Sequence, residues 1–295
     1  MTDKIKILTF TPVHERYEVL LICLKGLTRL VNYKPETFDI RPFFIVSNNQ
    51  EKDIIEQFGF DYMEYKNEPL GEKKNAGLKY AIEHFEFDYL MEIGSDDLII
   101  DEYLDLIEPE LRAKTPLFNL STCYFIDTVS GKASKWTSDI VIGLGRFISR
   151  DAIMSSFAVK FMFFQNMAGP DMSVQAKKLY DLPQKSAENY QIHGYGEVIS
   201  TGEAYLWNNN GVRGMDTFSM NTLARSGINN KVIENDGIYL VDIKSRNGLN
   251  KFDLFTPIKS SAAILKKIPE AKDIIRLIEA NSIKPIKKKR CKLVK

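Results

Sequence analysis

The sequence has few cysteines, no long hydrophobic run and almost no net charge. Its three cysteines, Cys23, Cys123 and Cys291, are far apart and form no CxxC pair, which argues against a disulfide framework and against a zinc site. No apolar run approaches the roughly 20 residues of a membrane-spanning helix, and the first residues do not resemble a signal peptide. We therefore expect a soluble, cytoplasmic protein without a transmembrane segment.

Several other common signals are missing as well. Lysine and arginine number 40 and aspartate and glutamate 39, so the formal net charge of +1 gives no general attraction to nucleic acid or membranes. The chain contains no GxxxxGK[ST] phosphate-binding loop, and residues 143–148 hold two of the three glycines of a GxGxxG motif. The three histidines are too far apart in sequence to indicate a histidine metal site. Specialised chemistry must therefore come from local arrangements of other residues.

The first hundred residues alternate between two hydrophobic periods. Apolar runs typical of strands cover residues 5–10, 43–47, 61–65 and 88–93. Helical spacing of apolar residues covers residues 17–31, 51–58 and 72–85. This alternation predicts an α/β fold with a mixed, mostly parallel sheet flanked by helices, in which ligands bind beyond the carboxyl ends of the strands.

The later part of the chain is less regular. Residues 118–127 alternate like one strand, and Ser149 is a good N-cap for a helix that follows it. Further helices are predicted for residues 215–226 and 262–283.

An acidic pair follows the strand at residues 88–93, in the stretch MEIGSDDLII. Two buried like charges repel each other, so Asp96 and Asp97 together favour a divalent cation such as Mg²⁺ or Mn²⁺, which prefers carboxylate and phosphate oxygens. The alternative is structural, with Asp96 capping a helix that begins after it.

The helix predicted over residues 72–85 starts in the sequence PLGEKKNAGLKYA. Its free N–H groups and dipole suit an anion, with Lys74 nearby, although most lysines are solvated surface charges. Gly77 within the helix costs about 1 kcal/mol relative to alanine unless another group must approach closely.

Together these motifs resemble the GT-A nucleotide-diphospho-sugar glycosyltransferases, family 2 in particular. The family's helix motif reads ARNxGLxxA where this chain has residues 73–81, and its strand end reads roughly [FL]LDSDD where this chain has EIGSDD. The likeness covers residues 5–100 well and residues 200–230 more loosely. It implies a catalytic GT-A domain over residues 1–255, with a nucleotide-sugar-binding half (1–100) and an acceptor-binding half (101–255), and a helical extension with a basic tail over residues 256–295.

The resemblance also implies roles for individual residues. The donor-binding residues would be Thr11, Pro12, His14, Glu15 and Arg16 beside the base and ribose, Ser47 and Asn48 at the base edge, Lys74 near the diphosphate or the base pocket, and also Asn75 and Ser95. Asp96 and Asp97 would bind the metal. Asp216, at the start of a predicted helix, would be the catalytic base, although a carboxylate there also complements the helix dipole.

The implied function is a metal-dependent, inverting glycosyltransferase that uses Mn²⁺ or Mg²⁺. Its donor would be a nucleoside-diphosphate sugar, with UDP favoured by the family, and its acceptor a hydroxyl. The lysine-rich residues 284–295 favour a polyanionic acceptor (a glycan, DNA or a lipid phosphate) if they are functional, while a solvated end is the commoner interpretation.

Two departures from the family keep alternatives open. Gly94 stands at the first acidic position of the DxD motif, and Ser47 stands where the family has an aspartate that reads the base. The alternatives are a sugar-phosphate nucleotidyltransferase, although the glycine-rich loop typical of that class is missing after the first strand, and a non-catalytic nucleotide-sugar-binding protein.

Overall fold

The computed structural model describes residues 3–138, 142–158, 206–207, 215–225, 227–245, 256–258 and 260–282. Its strands are β1 (Ile5–Pro12), β2 (Phe38–Val46), β3 (Asp61–Glu64), β4 (Tyr89–Glu92), β5 (Asp97–Ile99), β6 (Leu117–Leu120), β7 (Thr122–Asp127), β8 (Ala133–Thr137), β9 (Phe147–Ser149), β10 (Lys231–Ile233), β11 (Leu240–Lys244) and β12 (Thr256–Pro257). Its helices are α1 (Tyr17–Val31), α2 (Asn49–Gln57), α3 (Leu70–His84), α4 (Glu102–Arg112), α5 (Arg150–Ala158), α6 (Met215–Arg225), α7 (Ala262–Leu265) and α8 (Ala271–Ser282).

Seven strands form the main sheet, in the order β10-β6-β9-β4-β1-β2-β3. Every neighbouring pair is parallel except the two pairs that involve β9. Successive side chains of a strand point to opposite faces, so Ile7 of β1 packs with α1, α2 and α4, while Leu8 packs with α3, α5 and α6. The predicted fold class, an α/β fold with a mixed, mostly parallel sheet between helices, is therefore confirmed.

Close packing of α3 against the main sheet explains Gly77 within this helix. A Cβ atom at Gly77 would lie 2.1 Å from Cδ1 of Ile45 in β2 and 3.2 Å from Cε2 of Phe10 in β1. Only a residue without a side chain lets α3 lie this close to the sheet, which offsets the helix penalty noted for glycine.

A second sheet of five strands, β12-β8-β7-β11-β5, stands beside the first. The sequence prediction of one strand over residues 118–127 is wrong, because this stretch is divided between the two sheets at Ser121. Ser121 donates its backbone N–H to Ile233 at the end of β10, while Thr122 already pairs with Thr137 of β8. The chain thus bends at Ser121 and passes from the main sheet to the second sheet within one residue.

The C-terminal helical region is two helices rather than one. Pro269 lies between α7 and α8, and a proline disfavours the helical conformation of the residue before it. Ile264 of α7 and Ile274 of α8 are fully buried against the second sheet and α1. The predicted domain division at residue 255 remains a prediction, and the basic tail at 284–295 lies outside the described residues.

Ser149 accepts a hydrogen bond from the backbone N–H of Ala152, at 3.1 Å, so its predicted role at the start of a helix is confirmed. Among the helices in the described ranges, none combines the length and the apolar character that crossing a membrane requires.

Candidate functional site

The acidic pair lies where the main sheet meets the second sheet. Asp96 follows the carboxyl end of β4, and Asp97 is the first residue of β5. The helix-capping alternative for Asp96 is wrong, because a strand rather than a helix begins directly after it. Topology therefore leaves its carboxylate available at the edge of the sheet.

A third carboxylate joins this pair. One carboxylate oxygen each of Asp96, Asp97 and Asp242 lies within 4.8 Å of the other two. Asp97 and Asp242 are direct partners in the antiparallel pairing of β5 with β11. Sequence reasoning missed Asp242; its one local signal is a single acidic residue within the otherwise apolar run LVDI.

The electrostatics of this aspartate cluster (Asp96, Asp97 and Asp242) favour a cation. Burial, and then the charges of Asp242 and Asp96, raise the pKa of Asp97 well above its ordinary value. Burial and Asp96 raise the pKa of Asp242 to about 6, against the opposing effect of Lys244. Lys244 pairs with Asp242 and Arg16 pairs with Asp96, so the cluster carries one net negative charge when all three carboxylates are ionised, the state that a bound cation would favour.

The donor set fits Mg²⁺ or Mn²⁺. Both ions prefer oxygen ligands, and Oδ1 of Asp242 is buried and has no hydrogen-bond partner in the described part of the chain. A buried carboxylate oxygen without a partner is unfavourable unless a cation or a donor meets it.

Gly94 is explained by the same carboxylates. Its backbone N–H donates to Oδ2 of Asp97 at 2.5 Å. A Cβ atom at position 94 would lie 2.9 Å from carboxylate oxygens of both Asp96 and Asp97. A side chain at position 94 would therefore displace the carboxylates of Asp96 and Asp97. Glycine at this position, where the family has an acidic residue, goes together with the present arrangement of these two aspartates.

The loop after β1 holds Arg16 against the cluster. Arg16 donates to Asp96 and, at 3.3 Å, to Oγ of Ser95. Glu15 and Arg16 both have positive φ angles, 46° and 56°, which are unfavourable for residues with side chains. The buried carboxylate of Glu51 stabilises this conformation by accepting the backbone N–H of Glu15 at 2.9 Å. Of the other residues predicted from this segment, Thr11 is buried in β1 and Pro12 ends the strand, half-buried.

Lys74 lies in a buried ion-pair network. Its ammonium group donates to Glu92, the last residue of β4, at 2.6 Å. The other oxygen of Glu92 accepts from Nε of Arg146 at 2.5 Å, and Nη2 of Arg146 donates to Oγ of Ser219 on α6 at 2.8 Å. Two cations thus keep Glu92 ionised, and they hold its pKa below the ordinary value despite burial.

Asn75 is also engaged within the protein. Its side-chain oxygen accepts the backbone N–H groups of Leu206 and Trp207, at 2.9 and 3.0 Å, and its amide nitrogen donates to the carbonyl of Trp207 at 2.5 Å. The Trp207 ring stacks on Phe10, and the ammonium of Lys74 lies 4.2 Å from its centroid. Lys74 and Asn75 therefore fix the segment 206–207 against α3.

Lys73 connects the loops that follow β1, β2 and β3. It is fully buried and donates to the carbonyl of Val13, to Oγ of Ser47 at 2.6 Å and to Oδ1 of Asn67 at 3.2 Å. The amide nitrogen of Asn67 lies 2.7 Å from Nδ1 of His14. Burial lowers the pKa of Lys73 to about 8. Sequence reasoning missed Lys73, which stands at the alanine position of the family's ARNxGL motif.

Asn48 is the N-cap of α2, and its side-chain oxygen accepts the backbone N–H of Glu51 at 2.9 Å. Asp216 lies in the first turn of α6, as predicted for a helix start there, and its side chain lies outside the described part of the structure. The structure thus brings Arg16, Ser95, Asp96 and Asp97 together. It places Ser47 and Asn48 after β2, two strands from β4, whereas His14 lies in the loop after β1, where its ring contacts Asn67.

No protein-family model matches the chain, and no curated protein matches it in sequence. Solved structures similar to it include S. aureus TarS residues 1–349, at 12% identity and a TM-score of 0.47, covering 94% of this chain and 65% of that one. The longer S. aureus TarS structure gives 11% identity and a TM-score of 0.49, with 94% and 39% covered. The CMP:2-keto-3-deoxy-manno-octonic acid synthetase complexed with CTP gives 11% identity and a TM-score of 0.42, with 94% and 100% covered. The chain therefore spans less than two thirds of either TarS structure.

Proposed function

We propose that this protein is a metal-dependent glycosyltransferase of the GT-A type, which transfers a sugar from a nucleoside diphosphate to a hydroxyl acceptor with inversion. The observation that carries the proposal is the aspartate cluster at the carboxyl end of β4, where its three carboxylate oxygens lie within 4.8 Å of one another. Ligands of open α/β sheets bind at this edge. The sequence motifs of residues 69–81 and 91–100 support the same assignment.

Asp96, Asp97 and Asp242 would hold Mg²⁺ or Mn²⁺. A divalent cation supplies charge stabilisation for a departing diphosphate. Arg16 adds a fixed positive charge beside Asp96, with the planar donor geometry that suits phosphate oxygens. Ser95 anchors the second arm of this guanidinium at 3.3 Å.

Asp216 would act as the base. In a single displacement the acceptor oxygen bonds to the anomeric carbon, the bond from that carbon to the diphosphate oxygen breaks, and the acceptor's proton passes to the carboxylate. The hydrogen bond from Arg146 to Ser219 fixes α6, and therefore the backbone at Asp216, to the end of β4. The acceptor side would be formed by the chain beyond residue 100, with residues 284–295 as a contact for a polyanionic acceptor.

Calorimetric titration with nucleoside diphosphates in the presence of Mn²⁺ tests the donor and the metal together. We expect binding that needs the metal in the wild type, and metal-independent residual binding in Asp96→Ala. Absence of binding to every nucleoside diphosphate would exclude the enzyme assignment. Asp96→Ala with an unchanged metal requirement would exclude the metal site.

A second assay separates the two transferase classes and tests the base. Incubation with a nucleotide-sugar and an acceptor releases a nucleoside diphosphate in a glycosyltransferase, whereas a nucleotidyltransferase releases pyrophosphate from a nucleoside triphosphate. Asp216→Asn should abolish sugar transfer while donor binding by calorimetry is unchanged. Retained turnover in that variant would remove Asp216 as the base.

A further inference from the structure

The hydrogen bond with Lys73 determines whether the hydroxyl group of Ser47 accepts or donates. An ammonium group has three donors and no acceptor, so Oγ of Ser47 must accept from Lys73 at 2.6 Å. The hydroxyl hydrogen of Ser47 therefore points elsewhere. Because Ser47 is half-buried, at the carboxyl end of β2, this hydrogen is available to a ligand.

The side chain of Asn48, the next residue, also offers a hydrogen-bond donor. Oδ1 of Asn48 accepts the backbone N–H of Glu51 at 2.9 Å, which assigns the oxygen, and the NH₂ group of this exposed side chain has no hydrogen-bond partner in the described part of the chain. The nearby carboxylate of Glu51 accepts two backbone N–H groups, from Glu15 at 2.9 Å and from Ser47 at 2.6 Å. Ser47 and Asn48 thus present two adjacent donors, and the nearest carboxylate is directed inward.

These donors lie where the base of the donor nucleotide would be. In the sheet order, β2 is separated from β4 by β1 alone. Adjacent strands are about 4.8 Å apart, so about 10 Å separates the end of β2 from the aspartate cluster beyond β4. A ribose and two phosphates bridge a span of this size between a metal-bound diphosphate and a base.

We propose that Ser47 and Asn48 select a nucleobase with two adjacent hydrogen-bond acceptors. Cytosine offers O2 and N3, and guanine offers O6 and N7. Uracil has an N–H between its two carbonyl oxygens, and adenine places an NH₂ group beside N7. This inference rests on the proposed function, and it differs from the preference for uridine that the family resemblance implies.

Calorimetric titration of the wild-type protein with CDP, GDP, UDP and ADP, each with Mn²⁺, tests the inference. We expect CDP or GDP to bind at least about tenfold more tightly than both UDP and ADP, because a donor facing a donor leaves both without partners. UDP or ADP binding as tightly as CDP and GDP would overturn the inference and leave the proposed function intact. Failure of all four to bind would overturn both.

Two variants change the donors without changing the metal site. Asn48→Asp keeps an oxygen to cap α2 but replaces the NH₂ donor with an acceptor, so the ratio of Kd values between UDP and CDP (or GDP) should fall about tenfold. Lys73→Met frees Oγ of Ser47 to accept, and the same ratio should fall. A ratio between bases is insensitive to a general loss of fold stability.

Lys79→Met is the matched control for Lys73→Met, because Lys79 is exposed on the same helix. It should leave the ratio unchanged. If Lys73→Met does not fold, Asn48→Asp still tests the inference. A ratio of Kd values in Asn48→Asp equal to that of the wild type would show that Asn48 does not select the base.

Discussion

The carboxylates of Asp97 and Asp242 come from strands 145 residues apart (242 − 97) and face each other as direct partners of an antiparallel pair. Like charges opposite each other destabilise a sheet pair. Burial raises the pKa values of both groups; the charge of Asp242 adds to the shift of Asp97, and the charge of Asp96 adds to the shift of Asp242. The arrangement is unfavourable without a cation and favourable with one, and this difference can be measured.

Asp242→Asn should therefore weaken the response of the protein to metal and reduce the pH dependence of its stability. Because the folded state holds its proton up to a pKa of about 6 at Asp242, against 3.8 in the unfolded chain, wild-type stability falls as pH rises through this range. The fall should be smaller in the variant. Thermal melting at several pH values with and without Mn²⁺ measures both effects. A metal-induced rise in Tm equal to that of the wild type would exclude Asp242 as a ligand.

Gly94→Ala should reduce metal affinity with little loss of fold stability. The added Cβ would lie 2.9 Å from carboxylate oxygens of Asp96 and Asp97, so these two side chains must move, while the strands on either side are unaffected. We expect at least about a tenfold weaker Mn²⁺ affinity, since metal sites tolerate small displacements of ligands poorly. The comparison variant is Gly59→Ala, at a surface turn where a Cβ would meet no atom within 4 Å but where φ is 70°. Backbone strain should lower the fold stability of this variant, while its Mn²⁺ affinity should stay that of the wild type.

Lys73 should make stability depend on pH in the alkaline range. Its pKa is about 8 in the folded protein and 10.5 as the ordinary value, so between these values the unfolded chain binds the extra proton. Stability contributed by this group therefore increases as pH rises from about 8 to 10.5, by about 3 kcal/mol in total. Urea unfolding at pH 7.5 and 10 should show this rise in the wild type and in Lys79→Met, and a smaller rise in Lys73→Met.

Glu92→Gln should destabilise the fold by about 3–5 kcal/mol, because it leaves Lys74 and Arg146 buried without their counter-charge. Chemical unfolding measures this loss. The comparison variant is Glu64→Gln, which breaks a surface pair with Lys52 and should change stability by less than about 1 kcal/mol. Equal effects of the two substitutions would contradict the structural role of the buried network.

Much of the main sheet could be predicted from sequence, because each strand and helix of residues 5–93 carries its own periodic pattern. The strand β1, for example, alternates between two covered faces, and α1 has a continuous apolar stripe. Hydrophobic periodicity depends only on residues that are close in sequence, and such local patterns are sufficient to predict these strands and helices.

The second sheet could not be predicted in this way. The break at Ser121 and the pairing of Asp97 with Asp242 depend on partners far away in sequence, which no local pattern records. The same limit applies to Lys74 and Asn75. Their contact with the nucleotide-sugar stays a prediction, and the motif gave no sign of the partners that the structure describes, Glu92 and residues 206–207. The family motifs indicate a region of the chain, whereas contacts with residues far away in sequence determine the partners of each side chain.

The division of the aspartate cluster between β5 and β11 also has a consequence for biosynthesis. A ribosome that has released residues 1–100 has exposed Asp96 and Asp97, yet Asp242 is still to be translated. The nascent chain therefore carries an incomplete set of carboxylates, and the aspartate cluster is complete only after β11 has added between β5 and β7. A metal held by all three aspartates would bind late in folding.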